Sequence, residues 1–243
     1  MVIAVDGTSG SGKSSTCRGV ADRLGLSYLD TGAMFRAITW WMLEAGVDVH
    51  DAAAVAARCD EPVVVSGTDP THPTITVDEQ DVAAAIRTDA VNAAVSPVST
   101  VPEVRARLLE LQRSIIAAHI TSGGIVVEGR DIGSVVWPQA QVKVFLTADP
   151  GARAARRALE AGASDVSATE ASLRERDRID SGRATAPLVM ADGAAHLDTT
   201  TYTLDEVIGT LVGLVESALE PTVEPTVEPT VETAGERVED AGR

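Results

Sequence analysis

The feature that most constrains this chain is an apolar run, Val2-Ile-Ala-Val5, that passes almost at once into Gly7-Thr-Ser-Gly10-Ser-Gly12-Lys13-Ser14. The octet satisfies GxxxxGK[ST] in the strand-turn-helix setting that gives the pattern its meaning. Glycines let the backbone curl so that successive N–H groups point inward, and the following helix aims its positive end at the same place. A polyphosphate fits such a loop. Gly7, Thr8, Ser9, Gly10, Ser11 and Gly12 are the cradle candidates, Lys13 bridges the terminal phosphates, and the Ser14 hydroxyl is the candidate ligand for magnesium. Ser15 is a further candidate for the cradle, although Ser15 and Thr16 read equally as first-turn helix residues. The chain has 18 Arg but only two Lys, Lys13 and Lys143. A planar guanidinium cannot replace a compact ammonium inside a closed loop, so a lysine kept at position 13 is what a working phosphate loop requires.

Further apolar runs at Ile125 to Val127, Val142 to Leu146 and His196 to Asp198 read as strands, with helical patterns between them. Thr100 to Glu103, Ser167 to Glu170 and Thr203 to Glu206 each match a capping box, and Asp149-Pro150 places a cap before a first-turn proline. This order implies an α/β fold, a parallel sheet flanked by helices in three layers. Residues 62–95 break the rhythm and read as two short alternating strands joined by a Pro/Gly-rich connection, a hairpin-like insertion. From Glu220 the sequence becomes EPTVEPTVEPTVETAGERVEDAGR, where a proline every fourth residue forbids helix and sheet. The expected division is one domain over 1–219 and a disordered acidic tail over 220–243.

The net charge of −16 repels polyanions that lack a dedicated site, and the low aromatic content (3%) leaves no rows of rings for stacking bases. Nucleic acid and anionic membranes are therefore poor partners. No apolar stretch is long enough to span a bilayer and no basic leader opens the chain, so a cytoplasmic protein is expected, with a monomer as the default. Cys17 and Cys59 lack CxxC spacing and His50, His72, His119 and His196 are scattered, which argues against a disulfide framework or a structural zinc.

With two lysines the chain has no Asn-Lys-x-Asp element for reading guanine, which excludes a switch GTPase. It offers instead arginines and paired carboxylates outside the loop, as a second anionic substrate demands. Leu29-Asp-Thr-Gly-Ala-Met-Phe-Arg36, Glu128-Gly-Arg-Asp-Ile-Gly133 and Glu175-Arg-Asp-Arg-Ile-Asp-Ser-Gly-Arg183, in this order behind the phosphate loop, resemble the bacterial cytidylate kinases. The resemblance covers residues 1–219. It implies transfer of the ATP γ-phosphoryl group to CMP or dCMP with magnesium, a core domain, an enlarged monophosphate-binding region and a mobile lid.

The resemblance also implies roles. Arg36, after a turn expected at Gly32, holds the CMP phosphate; Thr31 stands beside it with its hydroxyl. Arg130 clamps phosphate, while Asp131, Arg105, Arg183 and Ser96 surround the cytosine. Chemistry agrees with that division, because cytosine's amino donor and carbonyl acceptor call for an acid or hydroxyl beside cationic donors. Arg130 and Asp131 follow a strand and so project from its carboxyl end, where open α/β sheets bind ligands. Ser96, in Ser-Pro, also reads as a turn before a helix. Arg176, Asp180 and Arg183 share one face if the helix runs on, with Arg176 and Asp180 on the sugar hydroxyls; Gly182 threatens that spacing for Arg183. Arg153, Arg156 and Arg157 form a lid group from which at least one reaches the transferring phosphate, near a lid segment starting at Gly162; the spacing leaves open which. Phe35 stands where the family commonly has tyrosine, so no hydroxyl bond carries over there. Trp40 and Trp41 read as core, His119 as a helix-end residue and Cys17 as a buried filler. The rival readings are another small-molecule P-loop kinase, for another monophosphate or for shikimate, and a nucleotide-dependent switch or binding module acting through the tail.

Overall fold

The computed structural model describes residues 1–161 and 165–219. Residues 162–164 of the expected lid segment 162–165, and the tail at 220–243, lie outside the described residues.

Val2–Gly7 (β1) is apolar enough to be buried on both faces, and it occupies the centre of a five-stranded parallel sheet. Ile125–Glu128 (β6) pairs with it on one side and Val142–Thr147 (β7) on the other. Ser27–Asp30 (β2) and Ala195–Asp198 (β8) are the edges, giving the order β2-β6-β1-β7-β8. The edge strand β2 was not read from the sequence, because Tyr28 and Leu29 are its only apolar residues and make no run.

Alternation along β1 divides the interior. Ile3 and Val5 face Lys13–Leu24 (α1) and Leu204–Leu219 (α8), joining Cys17, Val20, Leu211 and Val215. Val2 and Ala4 face the opposite layer, where Thr31–Glu44 (α2) and Pro102–Ile120 (α5) supply Met34, Ile38, Leu108 and Ile116. Three layers follow, as expected. Ala52–Arg58 (α3) and Asp89–Thr100 (α4) complete this second side.

The insertion is richer than a hairpin. Val64–Ser66 (β3), Ile75–Val77 (β4) and Gln80–Asp81 (β5) form a separate antiparallel sheet. Asp78 and Glu79, between β4 and β5, both adopt positive φ, 50° and 67°. Asp78 stabilises that turn by accepting from the Val63 N–H at 2.8 Å and the Trp41 indole at 3.2 Å. Val64, Ile75 and Val77 pack in the same cluster as Met34, Ile38 and Met42, so the small sheet is seated on α2.

Two expected caps move. The helix α4 runs on to Thr100, with Ser96 and Pro97 inside it, and Thr100 bonds back to the Pro97 carbonyl at 2.7 Å; α5 then opens on Pro102 after an uncapped Val101. Val166–Gly182 (α7) is capped two residues before Ser167, by Asp165, which accepts the Ala168 N–H at 2.9 Å. The cap at Thr203 and Glu206 forms reciprocally, and Asp149 caps Pro150–Ala161 (α6) through the Gly151 N–H.

Candidate active site

The loop after β1 is shaped by its glycines. Gly7 has φ 144° and a Cβ there would lie 2.0 Å from the Leu146 carbonyl oxygen of β7, so no side chain is tolerated. Gly12 enters α1 at φ 86° as its N-cap without any side-chain capping bond, and the first turn carries no acid. The leading N–H groups of α1 thus remain available to an anion. Lys13 Nζ donates to the Thr8 carbonyl at 2.6 Å, folded over the loop it serves.

Behind the loop stands a carboxylate that the sequence reading left without a role. Glu128, at the end of β6, is 3% exposed and accepts from Ser14 Oγ at 2.7 Å and Tyr28 Oη at 3.0 Å through one oxygen. Its other oxygen, Oε2, is buried without a hydrogen-bond partner. Burial, then Asp30, pushes the Glu128 carboxyl above the usual range, and burial, then Arg130, pulls the Lys13 ammonium below it. Each group is poised for added charge. Ser15 is exposed at the start of α1 and takes no part in this cluster.

Beside the loop lies a second cluster, rich in arginine. Arg130 spans the two, donating from Nη1 to the Gly7 carbonyl and from Nε to Asp180 at 2.8 Å. Arg105 pairs with Asp131 at 2.5 Å, donates to the Ser99 carbonyl and lies over the Phe35 ring at 5.4 Å. Arg183 donates to the Asp180 carbonyl and sits 3.8 Å from its carboxylate, leaving a buried Nη2 without a partner. The helix α7 does end at Gly182, so the i+7 spacing fails for Arg183, yet the extended residue after the helix returns to the same carboxylate. Arg36, 7% exposed, donates to the Ile86 carbonyl and to Asn92. It lies inside α2, because Asp30 caps that helix and Gly32 belongs to its first turn instead of a separate turn.

Electrostatics bind this cluster together. Burial, then Arg176 and Arg157, lowers Arg36 to about 9; burial, then Arg130, lowers Arg176 to about 10. Burial pushes Asp131 up despite Arg105, whereas at Asp180 burial is outweighed by Arg130, Arg183 and Arg176, which hold the carboxyl low. Cations in surplus define an anion pocket.

The remaining expected residues separate. Thr31 turns its hydroxyl to the Glu128 carbonyl at 2.7 Å, and Ser96 is buried in α4 with its carbonyl accepting from Ser99. Arg153 is 5% exposed and donates to Ser9 and Ala148 carbonyls and to Asp177. Arg156 holds the Thr199 hydroxyl and carbonyl. Of the three, Arg157 is among the leading charges acting on both Arg36 and Arg176.

Comparison with known proteins decides the family. The cytidylate kinase family model matches residues 3–217. The chain is 58% identical over 212 residues to a cytidylate kinase of Streptomyces griseus, covering 87% of this chain and 91% of that one. It is 56% identical to a cytidylate kinase of Streptomyces avermitilis and 50% identical to one of Nocardia farcinica, each with the same coverage of 87% and 91%.

The chain belongs to the cytidylate kinase family.

For a cytidylate kinase chain, besides Asp177, which accepts the Ser9 N–H of the phosphate loop, three residues of this site were missed in the sequence. Asp6 ends the apolar run of β1, is 3% exposed, and accepts the Ile132 and Gly133 N–H groups, each at 2.8 Å, one on each oxygen. It thereby clamps the turn that carries Arg130 and Asp131; burial raises its pKa to about 6. Tyr28 and Glu128 are the others. A charged residue closing a central strand was the legible signal for Asp6 and Glu128; nothing local marked Tyr28.

Proposed function

We propose that this cytidylate kinase family member moves the γ-phosphoryl group of ATP onto CMP or dCMP, with ATP in the loop Gly7 to Ser14 and the acceptor in the arginine cluster. The observation that carries the reading is Arg130, which touches the Gly7 carbonyl of one pocket and Asp180 of the other. A guanidinium at that point neutralises charge on the group in flight, and phosphoryl transfer is mainly positioning and neutralisation. Arg157 is the lid arginine assigned to the transferring phosphate, since its charge acts on both Arg36 and Arg176. Arg36 takes the acceptor phosphate; Arg105 with Asp131 reads the cytosine edge; Arg176 and Asp180 take the sugar. No general base is required, because the attacking phosphate oxygen is already an anion.

Magnesium fits the donor side. Ser14 Oγ lies beside the Glu128 carboxylate, whose Oε2 has no partner. Among the described residues no cluster of three or more acidic, His or Cys side chains could hold a metal alone, which suits an ion that keeps waters and leans on substrate phosphates. Ser14 and Glu128 would hold it, and when bound it neutralises charge on the phosphate oxygens.

The test is ADP release with CMP, dCMP, UMP, AMP and shikimate as acceptors. Rapid release with CMP and dCMP is expected. Equal, weak release with every acceptor would defeat the assignment.

A further inference from the structure

We propose that Asp177 is a positioning residue that couples the two nucleotide pockets, an inference that rests on the donor and acceptor assignment above. Its Oδ1 accepts the Ser9 N–H of the phosphate loop at 3.0 Å, and its Oδ2 accepts from Arg153 Nη1. The same Arg153 nitrogen donates to the Ser9 carbonyl at 2.9 Å. Both backbone polar groups of Ser9 are therefore held by side chains of α6 and α7, not by the loop itself. Next to it, a Cβ on Gly10 would lie 3.2 Å from Arg153 Cβ and 3.5 Å from Leu173 Cδ1, so the loop backbone bears directly on both helices.

Asp177 sits one residue from Arg176 and one helical turn from Asp180, the residues of α7 that face the acceptor cluster. Asp180 is tied to Arg130 and Arg183. One turn of one helix thus touches the donor loop through Asp177 and the acceptor cluster through Asp180, neighbours on one face. An acceptor that pulls on Arg176 and Asp180 displaces α7, and through Asp177 the displacement reaches Ser9. Linkage makes the effect mutual: whatever factor CMP contributes to ATP affinity, ATP contributes to CMP affinity.

The experiment is titration calorimetry of a non-hydrolysable ATP analogue with magnesium, with and without saturating CMP, on the full chain. In the wild type, CMP should tighten the analogue by about fivefold or more. In Asp177→Ala the ratio should fall to about one while CMP alone binds within about threefold of wild type. Arg153→Met should collapse the ratio as well, and the double variant should add nothing further. Should Asp177→Ala fail to fold, Asp177→Asn keeps an acceptor for Ser9 but sets an amide N–H against Arg153, and the ratio should still fall. An undiminished ratio in folded Asp177→Ala or Asp177→Asn overturns the proposal, as does a wild type whose ratio is one. Failure of the underlying assignment has a different signature: CMP that does not bind alone, or an analogue that binds Lys13→Ala as it binds wild type.

Discussion

Replacing Asp131 by alanine strips the carboxylate from a pair whose side chains are each only 9% exposed, and leaves Arg105 in place. Arg105 then loses its carboxylate partner, while Asp180 continues to face Arg130, Arg176 and Arg183. Breaking a buried pair from one side costs about 3–5 kcal/mol, because the surviving charge is neither paired nor solvated. For a domain of this size each kcal/mol lowers the midpoint by about 2–4 °C, so thermal unfolding without nucleotide should fall by about 10 °C. On the proposed reading of Asp131, loss of a charged hydrogen bond to the base should also lower kcat/KM for CMP by roughly 10-fold to 150-fold. ATP affinity should change by less than about threefold, since Asp131 is not part of the donor loop. Arg105→Met combined with Asp131→Ala removes both charges and should restore most of the stability while leaving CMP turnover impaired. Scanning calorimetry and steady-state kinetics on the three proteins decide the matter. Full CMP turnover in the double variant would show that the pair is only a scaffold, and an unshifted midpoint in the single variant would refute the electrostatic argument.

Lys13→Ala should reduce kcat at least about a hundredfold while the unfolding midpoint stays at or above that of wild type, because a desolvated ammonium is removed; substantial turnover would rule out the cradle. Asp6 offers a test by pH. Its native pKa of about 6 lies above the ordinary 3.8, so its contribution to stability is fully present below pH 3.8 and is lost as pH rises through 6. The Asp6→Asn variant lacks that loss, and its stability relative to wild type should rise by about 2 kcal/mol between pH 4 and pH 7 in urea titrations; a flat difference would contradict the burial argument. Deleting residues 220–243 should leave CMP turnover within about twofold, as expected if 1–219 is the catalytic unit and the acidic repeat only solvates the chain; collapse of turnover would favour a module that works through its tail.

Local chemistry determined a good part of this protein. The β1 run, the glycines after it, Lys13, and the caps at Asp149 and Thr203 are decided within a few residues, so they could be read directly from the chain. Where local signals competed, one local signal outweighed another: Pro102 made Val101 the boundary, with Ser96 inside α4, and the carboxylate of Asp165 took the cap from Ser167. The α7 helix stopped at Gly182, yet Arg183 still reached Asp180, an outcome that helical spacing could not supply.

Tertiary structure alone decided the division of labour. Ser14 meets Glu128 across 114 positions of sequence, Arg130 meets Gly7 across 123, and Arg153 meets Ser9 across 144. Spacing along a helix places Arg153, Arg156 and Arg157 on adjoining flanks but does not say which one a loop carbonyl will claim. That depends on the parallel order β2-β6-β1-β7-β8, which sets the ends of β1, β6 and β7 side by side and so gathers loops far apart in the chain around one phosphate path. Residue type determined what each group can do, and the fold determined which partner each one meets.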